Sequence, residues 1–416
     1  MMGPIIIFDK STLQSLSVDE SCWLENFFLT NMTPIFFIET LADLEKQTKG
    51  RPPDKTVSEL ALKTPQDAYP NVYHHRLIVS DFLGYKIDMS NRPIISGGEF
   101  KVAPNGRLGI HFNQFPEAEV MQRWQNREFL EVERGIAREW RRLLSSVSFE
   151  YLKAIVKNIV PGGLKFKSIG DIKSFVDSFI KGNYKELLCL SFELFNFPAN
   201  LQTRILTRWK NEKCPPINVF APYASYVLKI DLFFYLCLIN NFISEDRPSN
   251  KIDLAYLYYL PFCMVFTSND NLHKRIAPLF MENDQVFVSG QELKNNLKIL
   301  DDYYSSFPND VKEQGIMRFA IYPPENTAPL ISQLWDSFLP IWRKHNKDRC
   351  SRLPIPEASE KEMVQKLKIN LKESVPIDNN FPLTLDNADH VLIKRMVLVK
   401  KGKWRILPPE VEKHNN

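Results

Sequence analysis

The chain has 416 residues, 44% of them hydrophobic and 12% aromatic, which is enough to bury a sizeable core and excludes a largely disordered protein. Its formal charge is +4 and its isoelectric point is about 8.5, so bulk charge neither requires nor excludes a nucleic-acid partner.

Cysteine usage and hydropathy predict the compartment. The six cysteines are scattered singly, without a Cys-x-x-Cys pair, so we expect reduced thiols in a cytoplasmic protein. The N-terminus does not resemble a signal peptide, and we do not expect export. The most apolar stretch, residues 226–242, contains Lys229 and Asp231 near its start, so we expect a buried helix and no membrane span.

The first predicted elements are a strand and a helix. Residues 4–9, Pro-Ile-Ile-Ile-Phe-Asp, form a short apolar run closed by an acid. A buried parallel strand that ends at a ligand-facing edge has this pattern. Ser11 or Thr12 can cap the following helix, which we expect over residues 13–29.

A second strand and helix are expected next. Residues 33–38 are apolar and of β type, and they lead into a helix that carries Glu39, Asp43 and Glu45. The composition of residues 50–73 then shifts to Pro, Lys, Asp and Thr, which indicates a loop.

A long insertion interrupts this α/β pattern. Residues 94–112 predict a hairpin that turns at Asn105-Gly106. Residues 116–145 predict one long charged helix, and residues 148–243 predict several more helices broken by proline and glycine. We therefore expect an inserted subdomain, a hairpin followed by helices, over residues 74–245.

The α/β pattern resumes after the insertion, and the chain ends in a mixed extension. The expected elements are a helix over 253–260, a strand over 263–267, a turn over 268–270, a helix from His273, a strand over 285–289 and a helix over 291–306. Beyond Asn309 we expect a helix near 328–345, a Pro- and Glu-rich stretch around 353–360 and a strand over 390–399. The predicted units are thus a discontinuous core (1–73 and 246–308), the insertion, and an α+β extension (309–416).

Four acids fall where such a sheet would bring them together. Asp9 ends the first strand and Asp270 follows a later strand, so both would face the crevice at the carboxyl ends of the strands. Asp43, with Glu39 as the alternative four residues earlier, lies in the helix after the second strand, and Asp253 begins the helix before the Asp270 strand. Converging carboxylates bind the divalent cations that assist phosphodiester hydrolysis.

Each acid also has a simpler interpretation. Asp9 and Asp270 can be turn residues or helix caps, and Asp253 can favour a helix dipole. Glu39, Asp43 and Glu45 can form a solvated helix face. Only the complete set, ordered around strands, favours a metal site.

The residues resemble the PIN-domain nucleases. Phe8-Asp9-Lys10-Ser11 looks like the family's opening strand, and Thr40-Leu41-Ala42-Asp43-Leu44 resembles its helix segment with Asp in place of Glu. Asp253-Leu-Ala-Tyr and Phe266-Thr-Ser-Asn-Asp270 resemble its closing motif, with Ser268 in place of the small hydroxyl residue. The resemblance covers roughly residues 4–46 and 250–305, and the insertion is far longer than in a minimal PIN domain.

This resemblance implies a three-layer α/β/α, Rossmann-like core with a parallel sheet. It also implies a Mg²⁺- or Mn²⁺-dependent nuclease that acts on RNA rather than DNA, with Asp9, Asp43, Asp253 and Asp270 on the metal and Glu39 and Ser268 in the site. The alternative is a catalytically inactive PIN-like regulator that binds protein or nucleic acid. Homo-oligomerisation or a protein partner through the insertion stays open. A haloacid-dehalogenase phosphatase is set aside because Ser11 occupies the position of its second Asp.

Two basic clusters have open interpretations. The arginines of residues 123–142 could track a phosphate backbone, although interleaved glutamates favour an ion-paired helix. The C-terminal cluster could contact phosphate or could protect an edge strand with lysines. Its members are Lys394, Arg395, Lys400, Lys401, Lys403 and Arg405, with Trp404 among them.

Overall fold

The computed structural model describes residues 3–46, 50–66, 68–146, 148–160, 165–182, 184–351, 374–376, 388–395 and 397–409. Its strands are β1 (Ile5–Phe8), β2 (Leu29–Met32), β3 (Tyr69–Pro70), β4 (Gly98–Val102), β5 (Leu108–Phe112), β6 (Val265–Ser268), β7 (Val286–Ser289), β8 (Val375–Pro376), β9 (His390–Ile393), β10 (Lys400–Lys401) and β11 (Trp404–Arg405).

The helices are α1 (Lys10–Ser15), α2 (Val18–Phe27), α3 (Pro34–Ala42), α4 (Pro53–Lys63), α5 (His74–Phe82), α6 (Pro116–Gln125), α7 (Glu131–Ser145), α8 (Glu150–Ile159), α9 (Ile169–Gly182), α10 (Tyr184–Leu194), α11 (Ala199–Asn211), α12 (Ile217–Phe220), α13 (Pro222–Ile239), α14 (Asn250–Ala255), α15 (Asn271–Ile276), α16 (Gly290–Ser305), α17 (Asn309–Lys312), α18 (Ile316–Phe319), α19 (Pro329–Phe338) and α20 (Trp342–Ser351). Short 3-10 helices cover Asp43–Glu45, Tyr256–Phe262 and Ala277–Leu279.

A five-stranded parallel sheet organises this mixed α/β fold. The strand order is β3-β2-β1-β6-β7, and Ile6 of the central strand lies between Thr30 of β2 and Val265 of β6. The side chains of β1 are at most 7% exposed, as expected for a continuous apolar run. Because the strands all run the same way, the residues that follow β1, β6 and β7 lie at one edge of the sheet.

The prediction of a second strand at residues 33–38 is wrong. β2 is Leu29–Met32, and the apolar run belongs to α3, which begins at Pro34. Thr33 caps this helix by accepting a hydrogen bond from the Phe36 N–H, and proline suits a first helical position. Polar residues can occupy β2 because they are hydrogen-bonded: the Asn31 side chain donates to the Phe262 carbonyl at 2.8 Å.

Several helices are shorter than predicted. The helix expected over 13–29 is two helices, α1 and α2, because Ser17 and Glu20 form a capping box that starts the second. The helix expected over 116–145 is also two, α6 and α7. Asp253 does not begin a helix: it lies inside α14, and a 3-10 helix follows.

The predicted hairpin is confirmed, and C-terminal strands extend it. β4 and β5 flank the Asn105-Gly106 turn, where Gly106 has a φ of +78°. β8 pairs with β4 and β9 with β5, which makes a second, four-stranded sheet. Of the strand expected over 390–399, His390–Ile393 form β9. The stretch expected around 353–360 lies outside the described residues.

One large cluster of buried hydrophobic residues joins all three predicted units. It contains the side chains of β1, most of α13, and Trp335, Trp342 and Trp404 near the C-terminus. The predicted units therefore share a core, and their boundaries stay a prediction. Within the described part of the chain, α13 is the one helix long and apolar enough to cross a membrane, and 78% of it is buried inside the protein.

Candidate active site

Asp9 lies directly after β1, at the carboxyl edge of the parallel sheet. Its Oδ1 accepts a hydrogen bond from the Thr12 N–H at 2.8 Å, and its Oδ2 accepts from the hydroxyls of Ser11 (2.6 Å) and Ser268 (2.7 Å). The residue is 4% exposed. Asp9 is therefore the cap of α1, the role predicted for Ser11 or Thr12, and it is also a buried carboxylate fixed by three donors.

Ser268 links Asp9 to His273. The Ser268 hydroxyl donates its one proton to Asp9 Oδ2, so Nδ1 of His273, 2.7 Å from the same oxygen, must donate to it. The other ring nitrogen, Nε2, lies 2.6 Å from the backbone carbonyl oxygen of Asp253, which can only accept. Both ring nitrogens carry a proton, and His273 is an imidazolium.

The charge of His273 stabilises the buried Asp9 carboxylate. Nδ1 lies 3.6 Å from Asp9 Oδ2, at ion-pair distance, and both side chains are almost completely buried. Burial works to lower the pKa of His273, but the adjacent Asp9 and the Asp253 carbonyl raise it to about 9. Burial works to raise the pKa of Asp9, but His273 and the two serine hydroxyls bring it below its ordinary value. Both groups are ionised at neutral pH.

Asp253 and Asp270 approach the same edge from α14 and α15. Asp270 caps α15, since its Oδ1 accepts from the Leu272 N–H at 2.5 Å. Burial raises the pKa of the Asp253 carboxyl to about 7; His273 opposes the rise, and the charges of Glu39, Asp270 and Asp9 add to it. Mutual repulsion of this kind requires that these carboxyl groups be close enough to interact.

Glu39 belongs to this acidic cluster. Burial raises its pKa; Lys10 and the Tyr256 hydroxyl oppose the rise, and the charges of Asp9 and Asp43 add to it. The Tyr256 hydroxyl donates to Glu39 Oε2 at 2.5 Å. Glu39 is thus coupled to Asp9 and to Asp253. We use the name acidic cluster for Asp9, Glu39, Asp253 and Asp270.

Asp43, the preferred second acid in the sequence, is placed differently. It directly follows α3, begins the 3-10 helix Asp43–Glu45 and is 4% exposed. The ammonium groups of Lys10 and Lys46 lie 3.3 and 3.9 Å from its carboxylate, and Lys10 also lies 3.8 Å from Glu39 Oε1. Lys10 therefore stands between Asp43 and Glu39, and the latter is the acid that interacts with Asp9 and Asp253.

The side chains of the acidic cluster have the right chemistry for a hard divalent cation, but their oxygens are not arranged as a metal site. Carboxylate oxygens are the ligands that Mg²⁺ and Mn²⁺ prefer. Across the part of the chain that the structure describes, no group of three or more His, Cys, Asp or Glu side chains is placed to hold a metal ion. Asp9 already accepts three hydrogen bonds, and the positive charge beside the acids comes from His273 and Lys10.

Sequence reasoning assigned no role to His273 and missed Lys10 and Tyr256. The position of His273 could have been recognised from the sequence, because it falls in the first turn of the helix that Asp270 caps, and that turn faces the sheet edge.

The arginines of α6 and α7 do not join the site. Three of their ion pairs lie within residues 123–142: Arg123–Glu133, Arg138–Glu131 and Arg142–Glu139. Arg134 pairs with Asp54 of α4, and Arg138 also lies 3.8 Å from Glu45, which follows α3.

Comparison of the chain with models of known protein families, with curated proteins and with solved structures finds no match in any of the three.

Proposed function

We propose that the protein is a PIN-like, metal-dependent nuclease and that the acidic cluster is its active site. The observation that carries this proposal is the accumulation of interacting carboxyl groups at the carboxyl edge of a parallel sheet, where the pKa of Asp253 is raised to about 7. A divalent cation strongly stabilises buried carboxylates that repel one another, because it neutralises their charges. A PIN-like, three-layer α/β/α core is part of the proposal.

Each residue of the acidic cluster would have a defined role in binding the cation. The cation, Mg²⁺ or Mn²⁺, would be held by oxygens of Asp9, Glu39, Asp253 and Asp270 and would supply an activated water and charge neutralisation at the leaving oxygen. Asp9 supports this as a fixed ligand, because Thr12, Ser11 and Ser268 determine the position of its carboxylate. Glu39 takes the second position in preference to Asp43.

Lys10 would have a separate task. Its ammonium group lies beside the cluster and is 17% exposed, so it can contact a phosphate oxygen at the mouth of the site. By resemblance to the PIN family we propose RNA as the substrate in preference to DNA. The inserted helices over 74–245 would then serve as the surface for a protein partner or a second copy.

A cleavage assay tests the proposal. Labelled RNA and single-stranded DNA are incubated with Mg²⁺ or Mn²⁺ and with the wild type, Asp9→Asn, Asp253→Asn or Asp270→Asn. We expect metal-dependent cleavage by the wild type and a loss of about a hundredfold or more in each variant. Asp246→Asn is the matched control, since Asp246 is exposed and its carboxylate accepts a hydrogen bond from the hydroxyl of the neighbouring Ser244, outside the hydrogen-bond network of the acidic cluster. Equal activity in all five proteins would overturn the assignment.

The same assay identifies the second acid. Glu39→Gln is expected to lose as much activity as Asp253→Asn. Asp43→Asn is expected to lose less, because the charge of Asp43 is compensated by Lys10 and Lys46. The reverse order would restore Asp43 to the site.

A second candidate is a catalytically inactive PIN-like regulator that binds protein or nucleic acid. The observation in its favour is that the acidic cluster already has compensating charge, from His273 and Lys10, and that Asp9 is 4% exposed. This candidate predicts binding of nucleic acid or protein without cleavage by the wild type in any divalent cation.

A further inference from the structure

A groove of about 510 Å³ lies at the C-terminal end of α16, next to the β10–β11 hairpin. We call it the basic groove, because four of its lining side chains are basic and one is acidic. The basic ones are Lys312, Lys400, Lys403 and Arg405, and the acidic one is Glu313. Its volume is in the range of sites for small ligands, roughly 300 to 1,000 Å³.

The lysines of the hairpin divide into two groups. Lys401 is 2% exposed, and its ammonium lies 2.8 Å from Glu25 and donates to backbone carbonyls, so it is structural. Lys400, on the opposite side of the strand, is exposed and lines the groove. No acidic side chain of the described residues is paired with Lys400. Lys403 is also exposed, but it is held by Asp301 at 2.6 Å.

The groove offers charge and hydrogen-bond donors, but not an aromatic face. Trp404 lines it and is 2% exposed: its indole N–H donates to Asp301 at 2.7 Å, and its ring packs on Trp23 with centroids 4.8 Å apart. Proteins that bind single-stranded nucleic acid without sequence preference rely on stacking of bases on exposed aromatic rings. The groove is therefore suited to phosphate groups and not to bases.

The basic groove is separate from the acidic cluster. The cluster lies at the edge of the sheet where α16 begins, whereas Ser305, the last residue of this helix, lines the groove. At 1.5 Å per residue, sixteen residues of helix separate the two by about 24 Å. The two are therefore different places on the molecule.

We propose that the basic groove binds a small polyphosphate group, either as inorganic polyphosphate or as the phosphate chain of a nucleotide. Lys400 and Lys312 would make charge-assisted hydrogen bonds to phosphate oxygens, with Lys403 remaining on Asp301. Because no aromatic ring of the described lining is exposed for a base to stack on, the site binds the phosphate chain and has similar affinity for nucleotides with different bases. The proposal does not depend on nuclease activity.

Calorimetric titration with inorganic tripolyphosphate, ATP and GTP tests this site in the full-length wild type and in Lys400→Glu. We expect saturable binding of all three with similar affinity, and a loss of about tenfold or more in Lys400→Glu, since a favourable contact becomes a repulsive one. Lys210→Glu is the matched control: Lys210 is exposed on α11, and its variant should bind as the wild type does.

The other outcomes are equally decisive. Absence of saturable binding by the wild type, or equal affinity in Lys400→Glu and the wild type, would overturn the proposal. Binding of a single-stranded RNA oligonucleotide but not of tripolyphosphate would show a strand-binding surface in place of a polyphosphate site. Asp9→Asn should keep its tripolyphosphate affinity, so failure of the nuclease proposal and failure of this one are distinguishable.

Discussion

Ser268 Oγ lies 2.7 Å from Nδ1 of His273, and the same hydroxyl donates to Asp9. One buried hydroxyl thus connects an imidazolium to a carboxylate at the centre of the acidic cluster. The cluster has an internal positive charge that is independent of any bound cation. The electrostatic attraction of a bound cation must therefore come more from Glu39, Asp253 and Asp270 than from Asp9, because the charge of Asp9 is already balanced by His273.

Replacing His273 should leave the Asp9 carboxylate buried without its partner. We expect His273→Ala to lower the free energy of unfolding at pH 7 by about 3 to 5 kcal/mol, measured by urea denaturation. His345→Ala, at an exposed position on α20, is the control and should change it little. The double variant His273→Ala/Asp9→Asn should lose less than the sum of the single losses. Additive losses would contradict the coupling.

The stability of the protein should fall as the pH rises from 6.5 to 9. The folded-state pKa of His273 is about 9, above its ordinary value of 6.5, so the folded state binds this proton more tightly than the unfolded state. Its stabilisation is complete below pH 6.5 and is lost as the pH passes through 9. Urea denaturation at several pH values should show this slope in the wild type. Most of the slope should be lost in His273→Ala, where only the smaller contribution of Asp253, with its pKa of about 7, remains. An unchanged slope in this variant would assign it to another group.

The central strand β1 and the acid that follows it could be predicted from the sequence, because the apolar run and its acidic end both indicate a buried parallel strand. An uninterrupted run of Ile5, Ile6, Ile7 and Phe8 fits a strand buried on both faces, and the residue after such a strand reaches the ligand edge. The hairpin at Asn105-Gly106 was predictable for the same reason, since its turn requires glycine at positive φ.

The second strand could not be predicted from hydrophobicity, because its burial depends on distant partners. Thr30 and Asn31 are fully buried in β2, and Asn31 is satisfied by the carbonyl of Phe262, more than two hundred residues away. The preference for Asp43 over Glu39 came from the resemblance of residues 40–44 to the PIN helix segment and not from the placement of this strand. In the structure α3 begins at Pro34, so Glu39 lies inside the helix and Asp43 directly after it.

Asp253→Asn should stabilise the protein at high pH. Burial raises the folded-state pKa of Asp253 to about 7 from an ordinary 3.8, so the ionised carboxylate disfavours the folded state progressively as the pH rises from 3.8 through 7. An amide has no such charge. We expect a gain of about 2 to 4 kcal/mol at pH 8 and little gain at pH 4, measured by urea denaturation. A variant less stable than the wild type at pH 8 would show that the carboxylate has a favourable partner.

Divalent cations should raise the melting temperature if the acidic cluster binds them. A ligand that binds only the folded state stabilises it by mass action, about 2.7 kcal/mol at a hundred times its dissociation constant. We expect Mn²⁺ to raise the melting temperature of the wild type by several degrees and to leave that of Asp253→Asn unchanged. Chelation should reverse the rise. An equal shift in both proteins would locate the cation elsewhere.

Gly290, the first residue of α16, should not tolerate a side chain. A Cβ at this position would lie 2.7 Å from both the Asn269 Nδ2 and the Thr12 Oγ1 atoms. Displacing Asn269 would disturb its N–H bond to Ser11, which is 3.1 Å long and leads directly to Asp9. We expect Gly290→Ala to cost about 1 to 3 kcal/mol and to weaken the Mn²⁺-induced shift.

The matched control for this change is Gly135→Ala in the middle of α7. Nothing lies within 4 Å of a Cβ built there, and the glycine is exposed. Because alanine loses less backbone entropy than glycine in a helix, this variant should be more stable than the wild type by about 0.5 to 1 kcal/mol. Thermal unfolding of both variants, with and without Mn²⁺, separates a local helix effect from damage to the edge of the acidic cluster. If Gly290→Ala matched Gly135→Ala in both measurements, the close contact at Gly290 would have no part in holding the cluster together.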